Sequence, residues 1–279
     1  MLKSILLGLD GSEVSDSVEE LGLQLARRFD ALLVGMGVVD EPGLRLSEMR
    51  VFQSRRDWHG VDPMPLYLSG TSQHVKDILE RFVLRCKEVG VSCKTLEGIG
   101  TPFVQILKEA QRFDLILLGQ ETHFEYEHET NPDVTIGKVL RDSPRPVMSV
   151  PKSPRGGEAI VLAYDGSLQA SRALYAFEAS GLGRSRKVHV LSVEEKRPLA
   201  EAHVDRAMEF LKHHEIEAVP HALESSIPPA EVILNKVDHY DAGLIVMGVY
   251  GQPIVREFVL GSVTGTVLKG SPVPVFCYQ

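Results

Sequence analysis

The chain has 279 residues, 43% of them hydrophobic and 24% charged, which suits two ordinary domains or one large one with real cores. A net charge of −8 argues against a nucleic-acid partner, which needs a basic face, but not against a local site for a small phosphorylated ligand.

The N-terminal stretch MLKSILLGLDGS carries only a short apolar run before Asp10, too short for a signal-peptide core. No later run reaches the length of a bilayer span, so no membrane partner is expected. Cys86, Cys93 and Cys277 form no CxxC and leave an odd thiol, so a reducing, cytoplasmic setting without a disulfide framework is the expectation.

In chain order, the segment Ser4 to Ala26, SILLGLDGSEVSDSVEELGLQLA, is an apolar run ending in Asp-Gly-Ser and then a helical pattern. It recurs as AIVLAYDGSLQASRALYAFEAS from Ala159 to Ser180. LLVGMGVVD at 32–40 is answered by KVHVLSVEE at 187–195, FDLILLG by YDAGLIVMG, and SPRPVMSV by SPVPVFCY. Matches in the same order throughout mark a duplication, with one domain over 1–151, a linker at 152–157 and a second domain over 158–279.

The apolar runs are short and rich in Val, Ile and Leu, as in strands buried on both faces. Helical periods fill the gaps at Val14–Phe29, Ser72–Val89, Phe103–Gln111 and Thr135–Leu140, then at Leu168–Ser180, Pro198–His214, Pro229–His239 and Val263–Lys269. The expected fold class is α/β: two tandem doubly wound domains, each a five-stranded parallel sheet with helices on both faces. The extra stretch Leu44–Gly70, with Trp58, reads as a long loop with one helical turn.

Parallel α/β sheets hold ligands beyond the carboxyl ends of their strands, where the strand order reverses. Gly248 ends the fourth strand of the second domain and Asp165 follows the first, so both face one crevice if those strands are neighbours. The stretch GVYGQPIVREFVLGS places Gly248 and Gly251 in a turn and Gly261-Ser262 at a helix start. Two readings stay open on spacing alone. Glycines after strands punctuate turns, and Gly-Ser caps helices. Equally, glycine admits close backbone approach, and free N–H groups at a helix start suit phosphate oxygens. Neither GxxxxGK[ST] nor GxGxxG stands at either strand end.

GVYGQPIVREFVLGS resembles the G-x2-G-x9-G-[ST] signature of the ATP-binding universal stress proteins, as do the DGS after strand one and the closing S-P-x-P-V strand. The resemblance covers nearly the whole chain as two tandem domains. It implies the adenine nucleotide α-hydrolase-like sheet, strand order 3-2-1-4-5, and a stress-response or signalling module binding ATP or a related adenine nucleotide with Mg2+. Carried over residue by residue, Ala163 lies under the adenine, Asp165 near ribose and adenine, and the backbone of Val193 beside the base. Gly248, Gly251, Gly261, Ser262, Val263 and Thr264 then hold ribose and phosphates. Resemblance to some members also makes Ser262 and Thr264 candidate phosphoacceptors.

The first domain departs from this pattern. Gly119 answers Gly248, but Thr122 stands at Gly251, Asp133 at Gly261, Val134 at Ser262 and Ile136 at Thr264. The loop between is acidic, with Glu121, Glu125, Glu127 and Glu129, and carboxylates repel phosphate. The expectation is one nucleotide per chain, in the second domain, although Asp10 is retained. The first domain would serve as a pseudo-partner, the last strands pairing within the chain as family dimers pair; a homodimer is also allowed. His123 and His128, with Glu125, Glu127 and Glu129 beside them and His59 or His74 from elsewhere, are metal candidates, a weaker reading than a solvated acidic loop.

The ligand-facing segments offer no evident general base, nucleophile or lysine aimed at a γ-phosphate, and Arg256 is the one cation in reach. A binding module is therefore favoured over a slow ATPase or adenylyl-transfer enzyme, with a ligand-free dimerisation scaffold as the third reading.

Overall fold

The computed structural model describes residues 1–45, 64–124, 134–249 and 261–279. By compactness the chain divides into Lys3–Val139 and a second unit of Leu140–Gln279 with Met1–Leu2.

In the first unit the order is β1 (Ser4–Gly8), α1 (Glu13–Phe29), β2 (Leu32–Val39), α2 (Met64–Glu88), β3 (Cys93–Ile99), α3 (Pro102–Ala110) and β4 (Leu115–Gly119). β1 lies between β2 and β4, and β2 pairs on its other side with β3, all parallel. Helix α4 (Val134–Asp142) follows. Helix α2 starts eight residues before the expected Ser72. Pro65 sits in the first helical turn, where its missing N–H costs nothing, and Met64 is buried there, anchoring the start. Part of the expected 44–70 loop is therefore helix; Trp58 lies outside the described residues.

The second unit holds β5 (Val147–Val150), β6 (Ala159–Ala163), α5 (Leu168–Ser180), β7 (Val188–Glu194), α6 (Arg197–His213) and β8 (Ala218–Glu224), followed by α7 (Pro229–His239), β9 (Ala242–Gly248), α8 (Ser262–Gly270) and β10 (Val275–Tyr278). Its sheet runs β5-β10-β9-β6-β7-β8. The last five are parallel and reproduce the order 3-2-1-4-5 of one repeat. The sheet has a sixth member that a five-stranded expectation lacks: β5, from the first repeat, pairs antiparallel with β10, Met148 opposite Phe276. That pairing puts β5 in the second compact unit. All three cysteines are free thiols. Among the described residues no helix is long and apolar enough to cross a membrane.

The Asp-Gly-Ser triplets make the same connector twice. Gly11 has φ 77° and Gly166 φ 73°, a left-handed conformation that strains any residue with a Cβ. Ser12 then caps α1 by accepting from Ser15 N, and Ser167 caps α5 by accepting from Ala170 N at 3.1 Å. Glycine and serine of the triplet are thus accounted for by the fold.

At the amino-terminal end of β7, His189, His221 and Tyr240 stack face to face, with His189 and Tyr240 centroids 4.0 Å apart. His189 Nδ1 meets His221 Nε2 at 2.9 Å, and the Tyr240 hydroxyl meets His221 Nδ1 at 3.2 Å. The chain closes with both imidazoles neutral: Tyr240 donates to His221 Nδ1, and His221 Nε2–H donates to His189. Burial pushes both histidines below their ordinary value; His221, Lys187 and His239 add to this at His189, and Lys236, His239 and Lys187 at His221. The unfolded chain takes up these protons near pH 6.5, before the folded one does, so stability is full above that pH and falls as pH drops through the lowered values. Urea unfolding at pH 7.5 and 5.5 is expected to show lower stability at pH 5.5. The His189→Leu/His221→Leu double variant is expected to lose that step.

Candidate functional site

β6 and β9 are neighbours, Ala163 opposite Met247, and the chain leaves β6 for β7 and β8 on one side while β9 and β10 lie on the other. The strand order reverses between them, so their carboxyl ends diverge over a crevice. A pocket of about 320 Å³ opens there. Ala163, Asp165, Val193, Gly248, Gly261, Ser262, Val263 and Thr264 all line it, which brings eight of the nine residues expected from sequence to one cavity. The ninth, Gly251, lies outside the described residues, as does Arg256.

The pocket has two chemical ends. Ala163, Leu191, Val193, Ile233 and Met247 form an apolar floor, with Pro229 at the start of α7 closing one side. Leu191, Ile233, Met247 and Pro229 carry no sequence signal beyond apolar periodicity. The other end is polar. Asp165 is exposed, and its Oδ1 accepts from Ser167 N at 3.0 Å. Across from it, α8 begins at Gly261, whose cap supplies no side-chain hydrogen bond to the first turn. The first-turn N–H groups of a helix have no partner within it, so Ser262, Val263 and Thr264 present donors to the cavity together with two hydroxyls.

Glu194, a neighbour of Val193 that sequence reasoning passed over, adds a second carboxylate. His203 lies behind it, Nδ1 at 3.4 Å from Glu194 Oε1. The His203 ring also packs on Gly166, where a Cβ would fall 2.6 Å from its Cδ2. Gly166 is therefore fixed twice, by its φ and by this contact.

The two described signature glycines are glycines for different reasons. A Cβ on Gly248 would stand 2.4 Å from Ala170 N and 2.5 Å from Gln169 C, backbone atoms that cannot turn aside. Gly248 is what lets β9 pack against the start of α5. Gly261 has φ −50° and ψ 143°, open to any residue, and among the described residues its Cβ would have only Thr264 Oγ1 near, at 4.0 Å. Serine is the better N-cap, so helix capping does not ask for glycine there.

The corresponding place in the first repeat differs. Asp10 is buried, and its Oδ1 accepts from Ser12 N at 3.0 Å, Ser12 Oγ at 2.6 Å and Ser15 Oγ at 2.8 Å. Its Oδ2 accepts from His123 N at 2.7 Å. Gly119 is held by packing, since a Cβ there would meet Val14 and Thr122. Ile136, the counterpart of Thr264, is buried in α4 as Thr264 is in α8, but brings no hydroxyl. Glu121 is exposed, while Glu125, Glu127, Glu129, Asp133 and the metal candidate His128 lie outside the described residues. The other metal candidate, His123, has an exposed side chain, and no group of three His, Cys, Asp or Glu side chains among the described residues could hold a metal ion.

Residues 158–279 match the family model described as Universal stress protein family. Universal stress protein Slr1230 of Synechocystis sp. is 27% identical over 297 residues, covering all of both chains. A universal stress protein from Archaeoglobus fulgidus DSM 4304 has a similar structure, with a TM-score of 0.74, 22% identity, and 99% of this chain and 98% of that one covered. A functionally unknown protein from Pseudomonas aeruginosa PAO1 is similar with a TM-score of 0.59 and 18% identity over 99% and 92%. These structural likenesses are ones of fold.

Gly248→Ala is expected to lower stability by about 1–3 kcal/mol, because overpacking must move backbone. Gly261→Ser is expected to hold stability within about 0.5 kcal/mol of the parent or raise it. Thermal and urea unfolding of the two variants side by side check the contrast.

Proposed function

We propose, on the premise that residues 158–279 form a domain of the universal stress protein family, that its pocket binds one adenine nucleotide, ATP or a close relative. The observation that carries this reading is the two-ended cavity at the strand-order reversal: an apolar floor beside a carboxylate, facing the uncapped start of α8. Its volume lies within the range of small-molecule sites. The adenine rests over Ala163 between Val193, Ile233 and Met247, with the Val193 backbone beside its edge. Asp165 accepts from the ribose hydroxyls. The phosphates lie against the N–H groups of Ser262, Val263 and Thr264 and the hydroxyls of Ser262 and Thr264, with Mg2+ offsetting their charge and Gly251 in the turn ahead. Gly261 fits this use, since any Cβ there would stand between the phosphates and the helix start.

The chemistry of the lining favours a binding module over an enzyme. Among the described residues that line the pocket there is no lysine, arginine, cysteine or histidine to stabilise a leaving phosphate or attack it. The bound nucleotide then acts by stabilising one conformation or partner surface, the logic of a stress-signalling module in the cytoplasm. In this reading the first repeat is a structural partner, and its last strand, β5, extends the sheet beside β10.

Titration calorimetry is expected to give one ATP per chain, and mass spectrometry of the freshly purified protein an adenine nucleotide without ADP accumulating over hours. Asp165→Ala removes a charged hydrogen-bond acceptor, so affinity is expected to fall about 10- to 100-fold. Gly261→Ser is expected to weaken binding at least about tenfold while the fold is unchanged. ATP binding that is indifferent to both substitutions would overturn the proposed pose; no adenine nucleotide binding at all would overturn the function.

A further inference from the structure

The first repeat keeps the strands and helices that frame the pocket, and the structure shows what stands in the pocket's place. The repeats align Gly8 with Ala163 through the DGS triplets, Leu118 with Met247 through Gly119 and Gly248, and Ile106 with Ile233 through Pro102 and Pro229. Ala163, Met247 and Ile233 are three walls of the second-repeat cavity. In the first repeat a Cβ on Gly8 would meet Leu118 Cδ2 at 2.4 Å, Phe124 Cζ at 3.3 Å and Ile106 Cδ1 at 3.8 Å. The Phe124 ring thus lies among the counterparts of those walls. Its side chain is buried, 1% exposed, although it belongs to a segment whose neighbours Glu121 and His123 are exposed.

A second contact points the same way. His123 donates its backbone N–H to Asp10 Oδ2 at 2.7 Å, while the matching Asp165 accepts only from Ser167 N among the described residues. Thr122–Phe124 therefore does two things that the proposed nucleotide does in the other repeat. A flat aromatic ring covers the strand-one floor, and a donor satisfies the strand-one carboxylate. Among the described residues the segment also buries the Thr122 hydroxyl without a hydrogen-bond partner, a cost that burial of Phe124 offsets.

We infer that the first repeat holds a latent purine-nucleoside pocket occupied by the chain's own Thr122–Phe124 segment, with the Phe124 ring in the place of a base and the His123 N–H in the place of a sugar hydroxyl. This rests on the nucleotide reading of the second repeat for the class of ligand, and on the contacts of Phe124 and His123 for the occupancy. The ligand class is the nucleoside and not the triphosphate, because Asp133 and Val134 replace Gly261 and Ser262 where phosphates would bind.

The test is adenosine titration by calorimetry of the full chain, unsubstituted and as Phe124→Ala, with circular dichroism to establish folding. Phe124→Val, a smaller loss of apolar volume, serves if the alanine variant does not fold. One adenosine per chain rising to two in the variant supports the inference. No adenosine in the parent and one in the variant supports it as well, and the nucleotide reading of the second repeat then stands or falls on ATP titration of the parent. An unchanged count in a folded variant overturns it, whether that count is one or zero. Adding Asp165→Ala, which removes the ribose acceptor of the second repeat alone, is expected to leave the new site's affinity within twofold; loss of the new site there overturns its assignment to the first repeat.

Discussion

A left-handed glycine between a strand and a capped helix is the constraint on which both repeats depend. At Gly166 the chain leaves β6, turns with φ 73°, and enters α5 under the Ser167 cap. Only a residue without a Cβ accepts that angle cheaply, and His203 packed on the turn excludes a side chain a second time. The turn holds the preceding aspartate at the carboxyl end of the first strand, where neighbouring strands diverge. Packing in the sheet is therefore converted into the position of one carboxylate at the mouth of the crevice.

The same turn, made twice, leads to opposite outcomes. In the second repeat Asp165 stays exposed with one backbone partner. In the first, Asp10 is buried and accepts from two serines and the His123 N–H. A buried carboxylate must be satisfied or it unsettles the fold, so closing the crevice and satisfying Asp10 have to occur together. Thr122–Phe124 does both. To the acidic composition read in the sequence the structure adds a steric feature: Phe124 is buried beside Gly8, Leu118 and Ile106.

Strands were legible because runs such as LILLG and AIVLA are apolar without a break, which only an element buried on both faces tolerates. The capped starts at Ser12 and Ser167 were legible for the same local reason. The start of α2 was not, since Pro65 and Gly70 read as loop punctuation, and the burial of Met64 that outweighs them is tertiary. The polar end of the site could be read from Asp165 and Gly261-Ser262. Its floor could not: Leu191, Ile233 and Met247 are apolar positions like any others, and nothing local distinguishes facing a helix from facing a cavity. Phe124 was hidden by its company, an aromatic among acids that reads as exposed until its burial beside Gly8 is known.

The duplication also separates two kinds of glycine that one sequence would leave alike. Gly248 and its counterpart Gly119 are both held by packing, against the backbone of α5 in one repeat and against Val14 and Thr122 in the other. Both copies keep glycine there, as a fold requirement demands. Gly261 meets no such requirement among the described residues, and its counterpart is Asp133. A glycine that the fold needs should persist in both halves. One needed only for a ligand's approach should persist only where the ligand still has room. Phe124 buried on Gly8 marks the first repeat as the half without room, and that half is the one without the second glycine. The packing around each glycine and the loss of one of them thus lead independently to the same half of the molecule.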